Sequence, residues 1–142
     1  MMRKLTLLLL AAFLPFVADA QVYNQWPAQA SSYNSAIVPA TPAVTTVKSS
    51  AGVVTQLVCF NILATPVYLK LYDVSGTVTL GTTSANYEFM CPGNTAGAGF
   101  VVPLPWAITF ANAIKYAVTS GISLTDNTAT TASSVLVNVG YN

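Results

Sequence analysis

The chain has 142 residues, of which 54% are hydrophobic and only 6% charged, with five basic residues, four acidic ones and no histidine. So few scattered cations cannot form the Lys/Arg stripe that binds phosphate backbones, which excludes nucleic acid as a partner. The lack of histidine excludes Ser-His-Asp and Cys-His catalysis.

In chain order, the first element is a leader. Arg3 and Lys4 open it, Leu5 to Val17 form a largely apolar run of 13 residues, and Ala18-Asp19-Ala20 ends it in an A-x-A pattern. That is the layout of a secretory signal peptide over 1–20. The run is shorter than the roughly 20 residues a membrane helix needs, although a short retained anchor is the alternative. Export to the periplasm, the extracellular space or a virion surface is therefore expected, with Gln21 as the mature N-terminus and no stable membrane span. The remaining 122 residues make one domain. In them Lys48, Lys70 and Lys115 balance Asp73, Glu88 and Asp126, while 27 Ser and Thr carry the polarity. A neutral surface resists aggregation poorly by itself, which suits a chain that packs against neighbours.

Residues 21–43 hold Trp26-Pro27, Pro39 and Pro42 and show no apolar period, so they read as an extended arm outside the packed domain. From 44 to 142, turn signals recur: Ser50-Ala51-Gly52, Asn61, Ser75-Gly76, Pro92-Gly93-Asn94, Ser120-Gly121 and Asp126-Asn127. Between them lie runs rich in Val, Thr, Tyr, Ile and Phe. The expected fold is all-β, a single antiparallel β-sandwich of jelly-roll or Ig-like type with about 7–8 strands.

A two-residue period assigns faces. Val67, Leu69 and Leu71 share one side of their strand, opposite Tyr68, Lys70 and Tyr72. Ile114, Tyr116 and Val118 share another, as do Val135, Val137, Val139 and Tyr141. Tyr87, Phe89 and Cys91 oppose Glu88 and Met90, and Cys59 is placed with Val53 and Leu57. Shorter strands are expected over 43–49 and 99–102. Cys59 and Cys91, the only cysteines, read as a disulfide in an exported chain, with two buried free thiols as the alternative. Two sulfurs without histidine fall short of a zinc shell. No metal site or cofactor is expected.

Lys70 and Asp73, in the run YLKLYD at 68–73, raise the question of chemistry. On parity, Lys70 lies on the wet face with its stem over apolar surface. Asp73, at the strand end, suits capping of N–H groups in the turn that follows. No Ser-x-x-Lys spacing occurs. Gly97-Ala98-Gly99 precedes a strand rather than a helix, so it is no dinucleotide loop. Asp126-Asn127-Thr128 lacks the further oxygen ligands of a calcium loop and reads as a turn. The chain is expected to be no enzyme, a secreted enzyme of unfamiliar type being the least favoured reading.

The run YLKLYD, Ile108-Thr109-Phe110 leading into Ala113 to Thr119, Asp126-Asn127-Thr128-Ala129 and the closing Val137 to Tyr141 together resemble small β-sandwich structural or decoration-type proteins encoded by tailed bacteriophages. The resemblance covers about two-thirds of the chain, from about Thr45 to Tyr141. It implies a virion or surface structural role, with no catalytic residues to carry over. The leader and the cysteine pair depart from that pattern. The expected function is assembly through protein partners or self-association, with Tyr23, Trp26, Tyr33 and Trp106 as candidate contacts. The alternative is a bacterial extracellular module for glycans or adhesion, with the same aromatics as stacking platforms.

Overall fold

A computed structural model describes residues 32–39 and 41–142. The leader at 1–20 and the candidates Tyr23 and Trp26 lie outside the described residues, as does the side chain of Trp106. Eight strands form: β1 (Ser32–Ile37), β2 (Thr45–Lys48), β3 (Gly52–Asn61), β4 (Val67–Tyr72), β5 (Tyr87–Cys91), β6 (Ala98–Phe110), β7 (Ile114–Thr119) and β8 (Val135–Tyr141). They make two four-stranded antiparallel sheets, β1-β8-β3-β6 and β2-β7-β4-β5.

The pairings nest. β1 pairs β8, β2 pairs β7, β3 pairs β6 and β4 pairs β5. The chain is thus one long four-level hairpin whose levels alternate between sheets, sealed by β3–β8 in the first sheet and β4–β7 in the second. That is the jelly-roll arrangement of two Greek keys. It decides between the two sandwich types expected, because an Ig-like sandwich groups its strands differently.

Alternation places the core. Leu57 and Cys59 of β3 and Val135, Val137 and Val139 of β8 face Val67, Leu69 and Leu71 of β4 and Ile114, Tyr116 and Val118 of β7. Burying an aliphatic side chain of this size is worth about 1.5–3 kcal/mol, so the facing rows hold the sheets together. Cys59 on β3 and Cys91 on β5 are bonded, with Cα atoms 6.0 Å apart, and tie one sheet to the other.

Three expectations need correction. First, the segment 21–43 is not wholly outside the domain. Its residues 32–37 are β1, paired along β8 from Ser32↔Tyr141 to Ile37↔Leu136, and Val38 is buried in the core. Main-chain pairing needs no apolar period, so alternation could not reveal this strand. Second, β3 carries a bulge between Val54 and Gln56, which turns Val54 rather than Val53 into the core beside Leu57 and Cys59. The buried Thr55 at the bulge donates its hydroxyl to the Gly140 carbonyl. Third, the strand expected over 99–102 runs on to Phe110. Gln56 pairs with Pro103 and Val54 with Ile108, so residues 104–107 loop out of register, with Ala107 at φ 43°. β6 is a sheet edge, the place in a sheet where prolines such as Pro103 and Pro105 are tolerated.

Candidate functional site

Five of the six charged side chains of the domain hydrogen-bond to backbone, and the sixth, Glu88, pairs with Lys70. Lys70 is fully buried, against its expected wet position. Its Nζ donates to Thr119 Oγ1 at 2.6 Å and to the Gly121 carbonyl at 2.7 Å. It also forms an ion pair with Glu88 Oε2 at 3.1 Å, where Glu88 takes no aligned hydrogen bond. The Tyr68 ring lies 5.6 Å from the ammonium. Parity was right and exposure was wrong, because loops cover that face. Lys115, one strand away on β7, donates to the carbonyls of Ser75 and Gly76. Lys48 donates to the main-chain oxygen of Asn142.

The acids do the same from the other side. Asp73 accepts from the N–H groups of Ala111, Asn112 and Ala113 at 2.9, 2.7 and 3.2 Å. Capping was expected, but the capped turn is the β6–β7 connection rather than the one following Asp73. Partial desolvation would raise its pKa, yet these donors together hold the carboxyl below the ordinary value of 3.8. Asp126 accepts from the N–H of Gly121 and Thr128 and from the Thr128 hydroxyl. Desolvation again opposes and the hydrogen bonds win, so its pKa is also lowered. Among the described residues no group of three or more His, Cys, Asp or Glu could hold a metal ion.

These anchors serve a cover over the second sheet. The β4–β5 loop, 73–86, lays Val74, Val78, Leu80 and Ala85 over Tyr72 and Ala117. The β7–β8 loop, 120–134, arrives from the opposite end, and the two meet where the Ala85 N–H donates to the Leu124 carbonyl at 3.0 Å. Gly81, at φ 89°, allows the first loop to pass the Asn127 side chain, where an added Cβ would come within 2.9 Å of Nδ2. Beneath the cover, burial first, then the Glu88 and Asp126 carboxylates, push the Tyr72 phenol up. A phenol held protonated in this way is no base near neutral pH.

No described segment covers the outer face of the first sheet in this way. The registers set Ile37, Leu136, Phe60 and Gly99 in one row across it, with Ser35, Asn138, Val58 and Val101 in the next. Ile37 is 62% exposed, Phe60 46% and Val101 64%. Neither row contains Lys, Arg, Asp or Glu. The Phe60 ring fills the space over Gly97, where a Cβ would approach it to 2.4 Å. The face is neutral, largely apolar and open.

Of the four candidate aromatics, Tyr33 lies on β1 and is 58% exposed. Trp106 lies on β6, at the opposite edge of the same sheet. Three strand spacings, about 14 Å, separate those strands. Sequence reasoning passed over Phe60, Val101 and Ile37. The signal was present in Leu57-Val58-Cys59-Phe60, which is apolar on both faces of its strand although only one face meets the core.

No known protein family, curated protein or solved structure matches the chain. No helix among the described residues is long and apolar enough to cross a membrane.

Proposed function

We propose that this is a non-enzymatic, exported structural protein that acts by assembling through the outer face of its first sheet. One observation carries the reading. The second sheet is covered by the chain's own loops, whereas among the described residues the first presents to solvent an uncharged face with an apolar row beside a mixed one. A contiguous exposed apolar patch on a small domain marks an interaction site more often than chance. Five of the six charges hold backbone and the sixth, Glu88, is paired with Lys70, which favours a scaffold over an acid–base catalyst. Jelly rolls serve in viral capsids as well as in lectins and cupins. A virion surface component of the kind tailed phages encode fits this architecture, by analogy of fold alone.

The test is sedimentation velocity on the mature chain beginning at Gln21, across a wide concentration range. Self-association is expected, weakened by Val101→Lys and Ile37→Lys, which put charge on the face at exposed positions. A chain that stays monomeric, with both variants indistinguishable from it, refutes assembly through this face. The alternative, a glycan or adhesion module, predicts instead that Tyr33→Ala abolishes binding on a glycan array. Capsid and tail genes beside this one would favour the virion role; polysaccharide or secretion genes would favour the alternative.

A further inference from the structure

The two long sides of the sandwich differ. On one, the connection from β1 to β2 crosses between the sheets and places Val38 in the core. On the other, β6 and β5 are both sheet edges, joined at one end by the 92–97 connection and the nearby Cys59–Cys91 disulfide, and they share no ladder along the rest of their length. The core shows through that seam. Phe89 and Phe100 meet across it with ring centroids 6.4 Å apart. Together with Glu88, Met90 and Val102 they line a groove of about 360 Å³. Met90 is 57% exposed. The Glu88 carboxylate is paired with Lys70, so the groove is effectively neutral.

Unpaired edges are normally blunted by proline, lysine or a bulge. β6 has such protection at Pro103, Pro105 and the loop-out at 104–107, but its first half and all of β5 have none. The open stretch offers main-chain groups beside an apolar, aromatic-lined groove. That combination suits an added extended segment that carries large apolar side chains.

The chain holds one segment of this kind. Residues 21–31 precede β1, contain Val22, Tyr23 and Trp26, and carry no charge. We propose that the β5–β6 seam receives residues Gln21–Ser31 of a second copy, with Trp26 as the anchor beside Phe89 and Phe100. This rests on the assembly reading above in requiring self-association, and adds to the outer face a second, separate contact with its own acceptor and donor.

Reach decides between the same chain and another. Ser32 lies on β1, the far edge of the first sheet, level with Tyr141 and Val54. The seam is three strand spacings across, about 14 Å, and half a sheet gap down, about 5 Å. It is also several residues along, since Phe100 pairs with Cys59. The straight line is about 20 Å before any clearance for side chains. Trp26 is six residues from Ser32, a reach of about 20–22 Å when fully taut. A path over the outer side chains and down into the seam is longer than that. A neighbouring copy has no such limit. Donor and acceptor then lie at different places on each copy, so the contact either closes as a reciprocal two-fold exchange or continues into a larger ring or an open chain.

The experiment places a benzophenone amino acid at position 26 of the mature chain, in an equal mixture of unlabelled and ¹⁵N-labelled protein. Irradiation is followed by peptide mapping, with sedimentation velocity run in parallel on Trp26→Ala and Met90→Lys. Cross-links between differently labelled chains, landing on 87–91 or 98–102, are expected, with self-association weakened at least about tenfold in both variants. Cross-links confined to one chain, or landing on the outer face of the first sheet, overturn the proposal. If the protein associates and neither variant changes it while Val101→Lys does, the seam is wrong and the assembly reading stands. If it never associates, both fail.

Discussion

Replacing Lys70 by methionine removes a fully buried ammonium while keeping most of its stem. Its hydrogen-bond partners would not all be stranded, because the Thr119 hydroxyl itself donates to the Gly121 carbonyl at 3.2 Å. The cost falls on Glu88, only 15% exposed at its side chain, which would lose the cation that compensates its burial. Breaking one side of a buried pair costs about 3–5 kcal/mol. For a domain of this size that is a fall in melting temperature of roughly 12–20 °C. Replacing both, as Lys70→Met with Glu88→Leu, removes the orphaned charge and is expected to recover most of the loss, leaving about 2 kcal/mol or less. Thermal and urea unfolding by circular dichroism, with the disulfide intact, measure both. A single variant that loses less than about 1 kcal/mol would mean the ammonium is wet after all. A double variant no more stable than the single one would equally sink the pairing argument.

The Cys59–Cys91 bridge spans a sequence separation of 32, and replacing both cysteines with alanine should cost about 3–4 kcal/mol; native alkylation without reduction should add no mass. Asp73 and Asp126 have lowered folded pKa values against an ordinary 3.8, so their stabilisation is complete above that value and is lost as pH falls through the folded ones. Asp73→Asn combined with Asp126→Asn should therefore flatten the acid limb of the stability curve below about pH 4 while lowering stability at neutral pH, and an unchanged acid limb would count against the capping role. A chain beginning at Ser32 should melt within a few degrees of one beginning at Gln21. One beginning at Val44 loses β1 and the buried Val38 and should melt about 10 °C lower or more; equal melting of all three would show that β1 adds nothing to the fold.

Much of the sandwich was legible in the chain. The rows Val67-Leu69-Leu71, Ile114-Tyr116-Val118 and Val135-Val137-Val139 each announced a core face, because a strand alternates its side chains whatever it packs against. Tyr87, Phe89 and Cys91 were assigned together for the same reason, and the disulfide followed from cysteine count and parity. What alternation cannot express is register and cover. β1 rests on main-chain pairing, the bulge at Val54–Gln56 changes parity within one strand, and β6 runs through two prolines because its outer edge is free. The candidate surface was still less visible. Parity separates Lys70 from Leu69 and Leu71, but only loops folded back from both ends of the second sheet decide that its ammonium is dry. No described segment does the same for the first sheet, where Phe60 and Val101, no different in type from core residues, are exposed. A one-dimensional pattern reports which side chains share a face. Whether that face meets water depends on contacts between segments far apart in sequence, and only the tertiary structure sets those.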